Sequence, residues 1–187
     1  MDMKIKQILS NVAEILGLAD VVELVKSNVA INELHQNTNY RLLLRCASLV
    51  VANLATHYSE ITHTQRVNTQ INGRINFSVF EHPPTNIKMV RQITGERMRF
   101  RTFIDHIIVN QPGKFDVTFT YVPKIISGNE TNPFPLPPAA LEYGIMAEYA
   151  FLSGMFNEAQ VWNEKFGEMI FASVKKNGRS VTMPRSF

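Results

Sequence analysis

The stretch Leu42-Leu43-Leu44-Arg45-Cys46-Ala47-Ser48-Leu49-Val50-Val51-Ala52-Asn53-Leu54-Ala55 decides the fold. It reads as the body of a helix that starts at Asn37 or Thr38 and reaches about Tyr58. The helix is apolar on most sides, and only Arg41, Arg45 and Ser48 mark a narrow polar strip. A helix of this kind sits in the middle of something, and Leu49 is expected inside with the rest. The run is 14 residues long and holds Arg45 and Asn53. A bilayer span takes about 20 apolar residues, so the cover must be protein rather than lipid.

Upstream there is too little to cover it. Ile5, Ile8, Leu9, Val12, Ile15 and Leu16 fall on one helical stripe, which Gly17 ends. Asp20 is expected to cap a second helix, with Glu23 three residues on as in a capping box and Val21, Leu24, Val25 and Val29 on its apolar face.

Downstream the hydrophobic period changes from 3.6 to 2. Ile75, Phe77 and Val79 alternate with Arg74, Asn76 and Ser78. Phe115, Val117, Phe119 and Tyr121 alternate with Asp116, Thr118 and Thr120. Such alternation marks strands with one face buried. Residues 87–93 and 97–109 also read as strands, and Thr94-Gly95 and Gln111-Pro112-Gly113-Lys114 as turns between neighbours. The expectation is at least four short antiparallel strands forming a small sheet or sandwich.

Five of the nine prolines then fall at 123, 133, 135, 137 and 138. Such a segment joins neither a helix interior nor the middle of a sheet. Pro137 and Pro138 suit the first turn of a new helix with Leu141, Ile145, Tyr149 and Leu152 on one side. Gly154 breaks it, and Asn157 with Gln160 is expected to cap a last helix with Ala159, Trp162, Phe166, Met169, Ile170 and Val174 inside. Phe151, Phe156 and Phe171 do not all fit the inner stripe, so some must meet the N-terminal helices or another subunit.

The fold class expected is therefore α+β. A helical bundle is made of N-terminal helices (1–60) and a C-terminal hairpin (137–176). An antiparallel β-domain (61–128) is inserted, a Pro-rich connector (129–136) follows it, and an extended tail (177–187) ends the chain.

The whole chain has 187 residues, 45% hydrophobic and 19% charged. The usual charged share is about 25%. Disorder is excluded, and the low charge fits a surface partly covered by a partner. The net charge of +3 is too balanced for a dedicated nucleic-acid binder. It is uneven, however. Residues 61–128 hold nine basic and four acidic residues, 129–176 three and six, and the tail two and none. Complementary patches suit head-to-tail contact between copies, and equally a solvated mixed surface. No targeting segment is read at the N-terminus, and the expectation is a cytoplasmic product with Asn129-Glu130-Thr131 only a chance glycosylation match.

Chemistry is sparse. There is no Gly-x-Ser-x-Gly, His-Glu-x-x-His, phosphate loop or dinucleotide fingerprint. His57, Glu60 and His63 have metal-like spacing, but a change of conformation after the helix is expected to break their shared face. Cys46, the single cysteine, excludes a disulfide framework and reads as an inert packing residue. No catalytic residue, metal or cofactor is expected. Arg97, Arg99 and Arg101 share one face of a strand, with Met98 and Phe100 on the other and Lys88 and Arg91 on the strand before. That face suits a polyanion such as DNA. It also suits a plain solvated edge, which the lack of interleaved aromatics favours.

Ala140-Leu141-Glu142-Tyr143-Gly144-Ile145-Met146-Ala147-Glu148-Tyr149, then Gly154-Met155-Phe156-Asn157-Glu158-Ala159 and Trp162-Asn163-Glu164-Lys165-Phe166, resembles the C-terminal helical hairpin of tailed-bacteriophage head–tail connector (adaptor) proteins. The opening from Lys4-Ile5-Lys6-Gln7-Ile8-Leu9 to Leu16-Gly17-Leu18, the piece from Gly73-Arg74-Ile75 to Pro83-Pro84 and the basic tail are also similar. The resemblance implies a non-enzymatic subunit of the virion neck, assembled in the bacterial host cytoplasm. Its partners would be copies of itself in a ring, commonly of twelve, together with the portal, tail or further neck proteins and passing DNA, with no membrane. It makes Arg179, Val181, Met183, Pro184, Arg185 and Phe187 candidates for docking to the portal, and Arg97, Arg99 and Arg101 candidates for lining a DNA channel. The turn Gly154-x-Phe156-x-x-Ala159 is similar to a tetratricopeptide unit too, but that fold needs stacked copies and no second one exists here. The alternative is a non-enzymatic cytoplasmic helical scaffold or interaction module.

Overall fold

The structure, a computed structural model, describes residues 3–69 and 72–176. Among them are six α-helices and seven strands, an α+β fold with two small antiparallel sheets. The chain divides into two compact units: Met1–Leu54 with Lys124–Phe187, and Ala55–Pro123. The tail expected at 177–187, with its candidate docking residues, lies outside the described residues.

The first unit is helical. Helix α1 (Ile5–Ile15) buries Ile5, Ile8, Leu9, Val12 and Ala13. Gly17, at φ +73°, takes the left-handed conformation that stops it. Ile15, expected on the inner stripe, is 56% exposed. Helix α2 (Ala19–Lys26) begins one residue before Asp20, so the expected capping box does not form. Asp20 instead accepts hydrogen bonds from Asn37 Nδ2 at 2.7 Å and Asn39 Nδ2 at 3.0 Å. These hold its carboxyl below the usual range and tie α2 to the start of α4. A short helix the sequence did not signal, α3 (Ile31–Leu34), lies between.

Helix α4 (Thr38–His57) buries Tyr40, Leu43, Leu44, Cys46, Ala47, Val50, Val51 and Leu54. Leu49 is a correction, since it is 42% exposed. Arg41, Arg45, Leu49 and Asn53 recur every four residues and form the one outward stripe, all exposed. Helix α5 (Pro138–Leu152) has proline at its start and buries Leu141, Gly144, Ile145, Met146 and Ala150. A Cβ on Gly144 would lie 2.9 Å from Val50 Cγ1 and 3.1 Å from the Phe166 ring. Glycine is what lets α5 approach α4 and α6 (Phe156–Lys176) at once. Leu152, expected on the inner side of α5, is 44% exposed. Helix α6 begins at Phe156, before Asn157, and turns Ala159, Phe166 and Ile170 inward.

The connector 124–137 closes this unit. The first-turn amides of α1 have no partners within the helix. Ile5 N donates to Glu130 O at 2.8 Å and Lys6 N to Gly128 O at 2.6 Å, while Thr131 forms a single bridge with Lys4. Buried Tyr40 donates its hydroxyl to Ser127 O at 3.0 Å. Asn129-Glu130-Thr131 therefore belongs to a structured cap.

The second unit is β. The larger sheet has the order β1 (Ile61–Asn68), β7 (Lys114–Tyr121), β3 (Pro84–Gln92), β4 (Arg97–Met98). The smaller has β2 (Arg74–Asn76), β6 (His106–Val109), β5 (Phe100–Thr102). Both contribute to one cluster of Val67, Ile75, Phe80, Ile87, Val90, Ile107, Val109, Phe115, Val117 and Phe119. Two expectations are corrected. Phe77–Val79 is a 3₁₀ turn that leaves Val79 50% exposed, so alternation ends at Asn76. Residues 97–109 are three strands split between the two sheets, because the chain leaves the larger sheet at Arg99 and turns at 103–105 to pair β5 with β6.

Candidate functional site

Alternation places Arg66, Asp116, Arg91 and Arg97 outward on their strands, and sheet register then lines them up. Arg66 pairs with Asp116 across β1 and β7, Asp116 with Arg91 across β7 and β3, and Arg91 with Arg97 across β3 and β4. The result is one cross-strand row of three arginines and one aspartate. Lys114 pairs with Asn68 two residues along on the same face, and Thr64 Oγ1 and Thr118 Oγ1 meet at 2.8 Å on the other side of the row. The opposite face supplies Val67, Val90, Phe115, Val117 and Phe119 to the core.

Within the row the one carboxylate is already engaged. Arg66 Nε donates to Asp116 Oδ1 at 2.8 Å and its Nη2 to Oδ2 at 3.1 Å. This fork holds the Asp116 carboxyl below its usual range and raises Arg66 further. Arg91 turns along its own strand, its Nε 3.1 Å from Met89 Sδ. Among the described residues no ion pair reaches Arg91, Arg97, Arg99, Arg101 or Lys114. Arg91 and Arg97 therefore stand directly opposite each other as like charges, an arrangement that costs stability.

The arginine triplet does not share one strand. Arg97 belongs to the larger sheet, Arg99 lies between strands, and Arg101 pairs in the smaller sheet with Ile108, whose other partner is Arg74. All three are exposed, while Met98 and Phe100 pack on the core, so the alternation survives the change of sheet. Arg74 differs in being bound, to Asn76 Oδ1 at 2.7 Å and Asp105 Oδ2 at 3.1 Å. Lys88 is likewise held by Glu60 at 2.8 Å. Sequence reasoning missed Arg66 and Lys114 because their proximity to Arg91 exists only through strand pairing.

The chain changes conformation after α4, which ends at His57, and β1 begins at Ile61. Glu60 is taken by Lys88, and His63 instead meets His82, Phe119 and Tyr121, with His82 stacked on Tyr121 at 4.2 Å between ring centres. Among the described residues no group of three or more His, Cys, Asp or Glu side chains is placed to hold a metal ion. Cys46 is fully buried, and burial, helped by the charge of Glu148, pushes its thiol up to about 12, where a thiolate nucleophile does not form.

The helical unit exposes a different chemistry. At the α5–α6 turn Phe151 and Phe156 pack edge to face with ring centres 5.7 Å apart and are 59% and 63% exposed. Leu152 and Met155 are exposed beside them, and Phe171 further along α6. On α5 and α6 Tyr143 stacks on Trp162 at 5.8 Å, with Lys165 Nζ 4.9 Å from the Trp162 ring centre. No helix among the described residues is long and apolar enough to cross a membrane.

No family model matches this chain. No curated protein matches it either.

Proposed function

We propose that this chain is a structural, non-enzymatic subunit of the neck of a tailed-bacteriophage virion. In this reading it is a head–tail connector that forms a ring with copies of itself beneath the portal, gives passage to DNA and receives the tail. The observation that carries the reading is the α5–α6 hairpin with Phe151, Met155 and Phe156 exposed at its turn. It falls on the residues whose sequence resembles the connector hairpin, and its apolar side chains at the turn are exposed. Monomers rarely keep large apolar patches, and assembly parts do.

In this proposal the N- and C-terminal helices form a bundle that makes the ring contacts, the β-domain is inserted in it, and the tail 177–187 extends to the portal through Val181, Met183 and Phe187 with Arg179 and Arg185 fixing register. The copy number would be that of the portal, commonly twelve. The exposed arginines Arg97, Arg99 and Arg101 would face passing DNA.

The test is attachment. The purified chain is mixed with portal rings, sized by light scattering and imaged in negative stain. A ring of copies on the portal is expected, and deleting 177–187 should abolish attachment while leaving the urea midpoint in place. A chain that stays monomeric beside portal rings would instead support the helical interaction module.

A further inference from the structure

We propose that the outward face of the larger sheet is a binding surface for the phosphate backbone of double-stranded nucleic acid, centred on Arg91 and Arg97 and flanked by Arg66 and Lys114. The proposal deepens the DNA-passage part of the reading above and moves it from a stripe along the chain to a row across a sheet.

Three observations carry it. Register makes Arg91 and Arg97 direct cross-strand partners at the end of the row, with the row's one carboxylate committed to Arg66. The isolated fold gains nothing from that repulsion, and an anion laid across the row removes it. Guanidinium forks match phosphate oxygens in pairs, and the hydroxyls of Thr64 and Thr118 beside the row are of the kind that position a phosphate. Finally, the face carries no exposed aromatic ring, so unstacked bases have no platform. Duplex backbone fits, and neither single strands nor base sequence would be read.

The competing occupant is the acidic hairpin of a second copy. Its carboxylates are less suited. Glu142 accepts from Asn11 Nδ2 at 2.8 Å, Glu164 accepts from Gln160 at 3.1 Å, and the same hairpin carries the cation of Lys165 over the Trp162 ring. The hairpin thus offers mixed charge to a row whose excess is all of one sign.

The experiment uses the full chain and a fluorescent duplex of arbitrary sequence, followed by anisotropy from about 50 to about 200 mM salt. Three to four neutralised phosphates lose roughly a hundredfold in affinity over that interval, and one to two lose roughly tenfold or less. The wild type is expected to show the steep dependence and the double variant R91A/R97A the shallow one, with unchanged circular dichroism and a urea midpoint no lower than the wild type's. R91K/R97K, which keeps the charge, should keep the slope. The proposal is overturned if the wild type binds no duplex at low salt, or if R91A/R97A binds with the wild-type slope. It is also overturned if the double variant instead loses a salt-sensitive self-association, which would make the face a contact between copies. Portal rings are absent from the assay, so its failure leaves the neck reading standing, and failed portal attachment leaves this result standing.

Discussion

The helical unit and the β unit solve the same problem with different leftovers. Both bury a continuous core. The helices hide Ile5, Ile8, Leu9, Leu43, Val51 and Leu141, and the strands hide Val90, Ile107, Phe115, Val117 and Phe119. What each leaves outside differs in kind. The helices expose Phe151, Phe156 and Phe171, and the sheet exposes Arg91 and Arg97, which have no acidic partner among the described residues. Helix geometry explains the first. Two helices joined by a tight turn present about one stripe each to their neighbours, and aromatics beyond that stripe have nowhere to go. Pleat geometry explains the second. Period 2 sends every other residue outward, so the outer face is free to be chosen for something other than stability. A surplus of apolar surface and a surplus of charge are both signs of unfinished contacts, and they call for different partners.

The contrast can be broken most sharply inside α4. Val51→Asp places a charge where the side chain is fully buried and should cost about 4 kcal/mol or more. Leu49→Asp, two residues away but on the outward stripe, should stay within about 0.5 kcal/mol of the parent. Urea unfolding read by circular dichroism separates them. Equal losses at both sites would mean that the outward stripe of α4 is covered.

In the β unit the two faces should part in the same way. Phe119→Ala removes a buried ring and is expected at the lower end of about 3–5 kcal/mol. Its neighbours Phe80, His63 and Tyr121, with ring centres 4.8, 5.7 and 6.4 Å away, can lean into the space. Asp116→Asn changes only the outer row. It should leave the urea midpoint nearly in place while strengthening duplex binding, because the row loses its one negative charge. Weaker duplex binding in Asp116→Asn would detach the row from nucleic acid.

The smallest expected effect is on pH, in the connector that caps α1. Burial pushes the Glu130 carboxyl up, but its own backbone amide, together with the amides of Ile126 and Ser127 and the Ser127 hydroxyl that donate to Oε1, outweighs it and leaves the carboxyl below its usual value. A lowered folded value means that the unfolded chain binds the proton more readily. The contribution is therefore present at neutral pH. It begins to fade as pH falls through the ordinary carboxylate range and is gone below the lowered value. Urea midpoints measured from pH 7 to pH 3 should show an acid loss that is smaller in Glu130→Gln. The same acid loss in both proteins would mean that this carboxylate does not hold the cap.

Much of this is legible in the sequence. The end of α1 at Gly17, the bounds of α4, the switch to strands after α4, the prolines opening α5 and the alternation of β7 follow from period and punctuation, which act over a few residues. The outward position of Leu49 was also legible, since it lies four residues from both Arg45 and Asn53, but overall hydrophobicity masked the stripe. The 3₁₀ turn at Phe77–Val79 was not, because alternation over so few residues does not distinguish a strand from a turn.

By itself, the sequence determined that there would be a buried central helix, strands with one polar face, a helical hairpin with more aromatics than its inner stripe can take, and an excess of positive charge on the strands. Tertiary structure alone decided which residues meet. Arg66, Arg91, Arg97 and Asp116 are spread over fifty residues of chain, and only the pairing of β1, β7, β3 and β4 makes them neighbours. Gly144 reads as a helix weakness until α4 and α6 are seen closing on it. The physical reason is common to both. Local periodicity fixes which way a side chain points, but register and packing, which depend on the summed fit of whole elements, fix what it points at.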